Sequence, residues 1–170
     1  MFRPHINSGS RARQGQSGFS VIEMVIVLMI IAIFAAFVVP QVMAHMRRYR
    51  LGVAGRNVAT AVQRARYLAT SNNSLAGIFV AESEHLDVEQ YDPEGKTAPT
   101  KVGGVNLPPG FTFAKDVPKQ IAFDGRGVIT PVPKDSPSIR INSSDGYYVN
   151  VIVSTTGQVT VSESQRDDSN

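Results

Sequence analysis

Phe19-Ser20-Val21-Ile22-Glu23-Met24-Val25-Ile26-Val27-Leu28-Met29-Ile30-Ile31-Ala32-Ile33-Phe34-Ala35-Ala36-Phe37-Val38-Val39 is a run of 21 residues with one charge, Glu23, and neither Gly nor Pro. As a helix rising about 1.5 Å per residue it would extend roughly 30 Å, the thickness of a bilayer's hydrocarbon core. A helix apolar on every side is out of proportion to the core of a 170-residue soluble protein, so the run reads as a membrane span. It does not read as an ordinary secretory signal, because it is too long and no A-x-A-type site follows it. The small-residue junction Ser17-Gly18 lies before the run instead. A cut there removes a leader and leaves the apolar helix on the mature chain.

Upstream, residues 1–18 are polar and basic, with Arg3, Arg11 and Arg13, no acid and no apolar period, and they read as a processing segment. Downstream, the helical pattern continues past Pro40. Leu51, Ala54, Val58, Ala61, Val62, Ala65, Leu68 and Ala69 recur at steps of three and four and form an apolar stripe. Pro40, which lacks an N–H, is expected to kink or loosen the helix, and Gly52 and Gly55 to weaken it. Ser71-Asn72-Asn73-Ser74 ends it.

From Leu75 the period changes to two. Strands are predicted at 76–81, 86–90, 120–123, 128–130, 138–142, 147–154 and 158–162, with turns at Asp124-Gly125, Asp145-Gly146 and Thr156-Gly157. Ile139 with Ile141, and Val149 with Val151 and Val153, mark the inward face of a half-buried antiparallel sheet. The stripe at 51–69 is its natural cover. The segment 91–110, rich in Pro and Gly, reads as a long surface loop, and 165–170 as a frayed tail. The expected fold is therefore α+β. Its parts are a leader at 1–18, a long helix at 19–72 (19–39 transmembrane, 40–72 amphipathic) and a β-rich head at 73–170.

The pI near 9.4 invites a nucleic-acid partner, but the charge is unevenly placed. Residues 1–18 carry a net +3 and residues 19–70 a net +5, whereas 71–170 hold eight Lys/Arg against thirteen Asp/Glu, a net of −5. An acidic head argues against nucleic-acid binding. The absence of cysteine excludes disulfides, thiol catalysis and thiolate metal sites. Arg47, Arg48 and Arg50 balance the three leader arginines, so the positive-inside rule gives no orientation.

Glu23 is the residue that demands an account. A lone carboxylate costs on the order of 3 kcal/mol at mid-bilayer and less near an interface. Either it snorkels at headgroup level, or it pairs with the α-amine that cleavage after Gly18 would create at Phe19, in its own chain or in a packed neighbour.

Gly18-Phe19-Ser20-Val21-Ile22-Glu23, followed by the apolar run and Pro40, resembles the type IV prepilin N-terminal signature. That signature has a short basic leader, Gly before the cut, usually Phe after it, Glu four residues beyond, and commonly a later Pro. Ser20-Val21 stands where Thr-Leu is more usual. The resemblance implies that a prepilin peptidase cuts after Gly18 and N-methylates Phe19. It implies that Glu23 neutralises the N-terminus of an adjacent subunit during assembly. The helix would serve first as anchor in the bacterial inner membrane and then as filament core. The head would face the periplasm, and the partners would be other pilins or pseudopilins and an inner-membrane assembly platform.

The stretches 121–129, 148–153 and 155–159, with Gln63-x-x-Arg66, resemble the heads of the pseudopilin H and minor pilin T/U family. Major pilins usually carry a disulfide loop, so the resemblance implies a minor subunit. The first expectation is a minor pseudopilin of a type II secretion pseudopilus supporting export of folded proteins. The alternative is a minor pilin of a type IV pilus, priming assembly, supporting motility or taking part in DNA uptake. An unrelated single-pass protein with a β domain would need no cut at Gly18 and no Glu23.

Other constellations carry less. His5, His45 and His85 share no metal-ligand spacing. Glu82, Glu84, Asp87, Glu89, Asp92 and Glu94 lack calcium-loop spacing and are expected to line a solvated sheet edge. Gly125-Arg126-Gly127 is a turn and not a phosphate loop, and Ser143-Ser144-Asp145 has no triad partner. Arg47, Arg48 and Arg50 suit membrane lipid heads or a neighbouring subunit's carboxylates. No catalytic residue, metal or cofactor is expected, and the protein is read as a non-enzyme.

Overall fold

The computed structural model describes residues 18–92 and 98–167. The expected leader, apart from Gly18, lies outside the described residues, as do 93–97 of the expected loop and 168–170 of the expected tail. The described residues divide into two compact units, one ending at Val42 and the other beginning at Met43.

In the first unit, Gly18, Phe19 and Ser20 precede the helix α1, which spans Val21–Ser71. The first α-helical bond runs from the Met24 N–H to the Ser20 carbonyl at 3.1 Å. Every residue from 18 to 42 is exposed, including the whole apolar run. By length and composition α1 can cross a membrane, and it is the one such helix among the described residues. The helix continues unbroken through Pro40.

In the second unit α1 becomes one-sided. Leu51, Ala54, Val58, Ala61, Val62, Ala65 and Ala69 of the stripe read from the sequence are buried, with Gly55 beside them, while Leu68 is half-buried. The helix ends in a left-handed cap. Asn73 has φ +45°, and the Ser74 N–H returns to the Ala69 carbonyl at 3.0 Å, the long bond of a Schellman motif.

Two antiparallel sheets receive the stripe. In the first, β1 (Ala76–Val80) lies between β2 (His85–Gln90) and β5 (Gln120–Phe123); β3 (Thr100–Asn106) extends the β2 side and β6 (Ile129–Thr130) the β5 side. In the second, β7 (Ser138–Ser143) lies between β4 (Phe111–Phe113) and β8 (Tyr147–Val153). The far side of β8 is covered in two pieces, β9 (Val159–Val161) along one half and β10 (Gln165–Arg166) along the other. The sheets are stitched where the Phe113 N–H meets the Ser83 carbonyl at 2.6 Å and the Ile129 N–H meets the Thr155 carbonyl at 3.3 Å. Ile139, Ile141, Val149, Val151 and Val153 are fully buried, the alternation seen in the sequence. Gly55 permits the closest helix–sheet approach: a Cβ there would stand 2.9 Å from Val149 Cγ1 and 3.1 Å from Val161 Cγ1.

Three expectations need correction. The loop assigned to 91–110 contains β3, which pairs with β2 from Asn106↔His85 to Thr100↔Gln90. The tail assigned to 165–170 contains β10, paired with Tyr147 and Tyr148. Asp87 and Glu89 of the acidic run do not line a solvated sheet edge, because β2 is an interior strand and they are only 4% and 9% exposed.

Candidate functional site

The Gly18–Phe19 junction lies outside the helix and is exposed, so its backbone is open to an enzyme's cleft. A Cβ built on Gly18 meets nothing within 4 Å, and Gly18 is not among the positive-φ glycines. The fold of this chain therefore makes no demand for glycine there. Glu23 sits in the first turn of α1, where the unpaired N–H groups and the helix dipole favour a carboxylate. It is exposed and has no ion-pair partner among the described residues. Phe19 is 77% exposed and begins the uncovered apolar surface that continues through Ile22, Met24 and Val25.

The helix arginines divide sharply in the second unit. Arg48 lies over the Tyr147 ring at 4.3 Å and donates to its hydroxyl. Arg64 donates to the Val102 carbonyl on β3 at 3.0 Å, and Arg66 Nε donates to the Gly127 carbonyl at 3.0 Å. Arg66 also lies against the β8–β9 turn, where Gly157 has φ +79° and a Cβ would stand 2.6 Å from Arg66 Nε. One guanidinium thus seats two glycine turns, one from each sheet. Arg66 figured in the sequence reading only as half of a loose pair with Gln63. The signal that could have exposed it was one Arg facing two Gly-containing turns, Gly125-Arg126-Gly127 and Thr156-Gly157.

His85 and its surroundings form a polar knot and not a reactive centre. Its Nδ1 faces Asn106 Oδ1 at 2.5 Å and its Nε2 faces Asp87 Oδ1 at 2.9 Å. With acceptors at both ring nitrogens the imidazolium is favoured, and the pKa rises through the bond to Asn106 first and then Asp87. Lys101 Nζ lies 2.6 Å from Asp87 Oδ2 and is the main cause holding that carboxyl below its ordinary range. Glu89 accepts from the Tyr91 hydroxyl at 3.0 Å, and burial pushes the Tyr91 hydroxyl to about 12. These partners pin β2 to β3 and its flanks, so the acids are spent on structure.

The remaining candidates are turns. Asp124 accepts from the Val128 and Arg126 N–H groups and pairs with the Arg126 side chain, which lowers its pKa. The Ser143 hydroxyl bonds Asp145 within its own turn. Among the described residues no three His, Asp or Glu side chains are grouped so as to hold a metal ion.

Residues 13–39 match the prokaryotic N-terminal methylation motif, the segment that holds Gly18, Phe19 and Glu23. The fold is similar to that of the type IV minor pilin FimU of Pseudomonas aeruginosa, with a TM-score of 0.55 at 18% identity over 68% of this chain and 90% of that one. A second crystal form of FimU gives 0.52 at 17% identity, over 65% of this chain and 90% of that one. The minor pseudopilin EpsH of the Vibrio cholerae type 2 secretion system gives 0.53 at 10% identity, over 67% of this chain and 97% of that one. No curated sequence matches the chain.

Proposed function

From a chain that is type IV pilin-like in both its N-terminal motif and its fold, we propose a minor, non-enzymatic subunit of a pilin-type filament. It is anchored in the bacterial inner membrane before assembly, with its head in the periplasm, and is held in the filament by α1. The observation that supports this reading most is a pair of residues the fold itself does not need. Gly18 meets no steric demand and Glu23 has no partner within the described chain. A requirement for either residue would then come from another molecule: a prepilin peptidase for Gly18 and Phe19, a neighbouring subunit's N-terminus for Glu23. Pro40 lies just past the end of the apolar run, inside a helix that continues through it.

Within this class we read the chain as a type II secretion pseudopilin supporting export of folded proteins, in keeping with its likeness to EpsH. The likeness to FimU gives the second reading, a minor pilin of a type IV pilus. Deleting the gene separates them: loss of exoprotein secretion with surface motility intact supports the first, and the reverse pattern the second.

Processing is tested by intact mass and N-terminal sequencing of protein from its native membrane. The expected chain begins with N-methylated Phe19. Gly18→Ala is expected to abolish the cut while leaving the thermal unfolding of the head unchanged. Glu23→Ala is expected to be cut and folded but missing from sheared filaments. An uncut wild-type chain in cells with an active prepilin peptidase would sink the proposal.

A further inference from the structure

Three of the six helix arginines, Arg48, Arg64 and Arg66, have side-chain partners in the head, whereas the guanidinium groups of Arg47, Arg50 and Arg56 have no hydrogen-bond or ion-pair partner among the described residues. Arg47 and Arg50 are three residues apart and so share one helix face, where two like charges repel unless an anion lies between them. They line one pocket of about 150 Å³ with Pro109, Gly110, Ser143 and Ser144. At roughly 30 Å³ per water in the liquid, that space takes about five waters, room for a tetrahedral anion. The one nearby carboxylate of the turn, Asp145, is occupied by the Ser143 hydroxyl. Two guanidinium forks and the Ser144 hydroxyl are left as donors, a set suited to phosphate oxygens.

We infer that this pocket binds the phosphate of an anionic phospholipid headgroup. The choice of a lipid source rests on the anchoring role proposed above. Arg47 follows the last residue of the apolar run, Val39, by eight positions, and the intervening Val42, Met43 and Met46 are exposed apolar side chains. Helical side chains also lean toward the helix N-terminus, which aims both arginines back toward the apolar run. A basic residue near an anionic membrane surface is worth about a fivefold gain in association. The pocket adds to this a shaped set of donors that diffuse attraction lacks.

The full chain in phosphatidylcholine vesicles tests it, with a trace of spin-labelled phosphatidylglycerol or spin-labelled phosphatidylcholine and the motionally restricted fraction read by electron spin resonance. The wild type is expected to prefer the anionic lipid by about fivefold or more. The preference should fall to near unity in R47Q/R50Q and drop in S144L, which fills the pocket without changing charge. It should persist in R56Q, which removes one charge from the same helix outside the pocket. Equal loss in R56Q and R50Q, or no loss in S144L, overturns the pocket. Inorganic phosphate, set against chloride of equal ionic strength, separates the sources: abolished preference assigns the site to a free anion and overturns the lipid. Unchanged lipid preference in R47Q/R50Q with loss of filament incorporation assigns it to a neighbouring subunit's carboxylate, which also overturns the lipid. Failure of the wild type to float with neutral vesicles sinks the anchoring reading itself, and is distinguished from pocket failure by that result alone.

Discussion

His85 carries a pH signature that separates its structural role from a reactive one. Its folded pKa is raised above the ordinary 6.5, so its contribution to stability is complete below that value and is lost as pH rises through the folded pKa. Asp87 is shifted the other way. Its contribution is present above the ordinary 3.8 and is lost as pH falls through the depressed folded value. The knot between β2 and β3 is therefore strongest between about pH 4 and 6.5. We expect the urea midpoint of the head to decline from pH 6 to 8 in the wild type and to stay flat over that range in His85→Gln. A wild-type midpoint that rises over the same range would contradict the geometry. Nothing in the sequence marked this cluster, because its members, His85, Asp87, Lys101 and Asn106, meet only once an unrecognised strand is in place.

Among the elements, the sequence declared itself where burial is one-sided and continuous. The stripe from Leu51 to Ala69 and the alternation of Ile139, Ile141, Val149, Val151 and Val153 were readable because each follows one period against one core. β3 was not readable. Gly103 and Gly104 interrupt its apolar pattern, none of its residues is fully buried, and its register shifts opposite Val88/Glu89. It is held by pairing with β2 and by Arg64, which are tertiary causes. β10 is two residues long with both side chains exposed, below the length at which any period exists. β4, Phe111–Phe113, has only three residues, and its two buried Phe side chains make too short a run to set a period. The helix–sheet contact gives a direct check. Gly55→Leu forces a branched side chain into the stiff Val149 and Val161 pair and should destabilise the head by about 1–3 kcal/mol. A thermal scan showing no loss would mean that the helix can lift from β8 without cost.

For the whole molecule, all the buried apolar residues of the described core fall at or after Leu51. The head therefore owes no part of that core to the apolar run, and residues 43–170 should fold alone as a soluble monomer. Their thermal midpoint should match that of the full chain in detergent, and an unfolded or aggregated fragment would show that the first unit is needed for folding. The two-unit division also explains why the class of protein was legible early. The first unit is written in a single local motif of a few residues, while the head is specified by long-range pairing that no short window contains.

The three arginine clamps have a mechanical meaning as well. Arg48 fastens α1 to Tyr147, and more than four turns further on Arg64 and Arg66, two residues apart, fasten it to the Val102 and Gly127 carbonyls. A load applied along the helix axis strains all three fasteners and the interlocked stripe together, in shear. A load applied at one end and across the axis would open them in turn, as a zipper does. Rupture in shear requires many weak bonds to fail at once, so its barrier is that of the whole seam, and resistance to forced unfolding is set by that barrier. Loaded along its helix, as the proposed place in a filament implies, the subunit would meet the force with the whole seam.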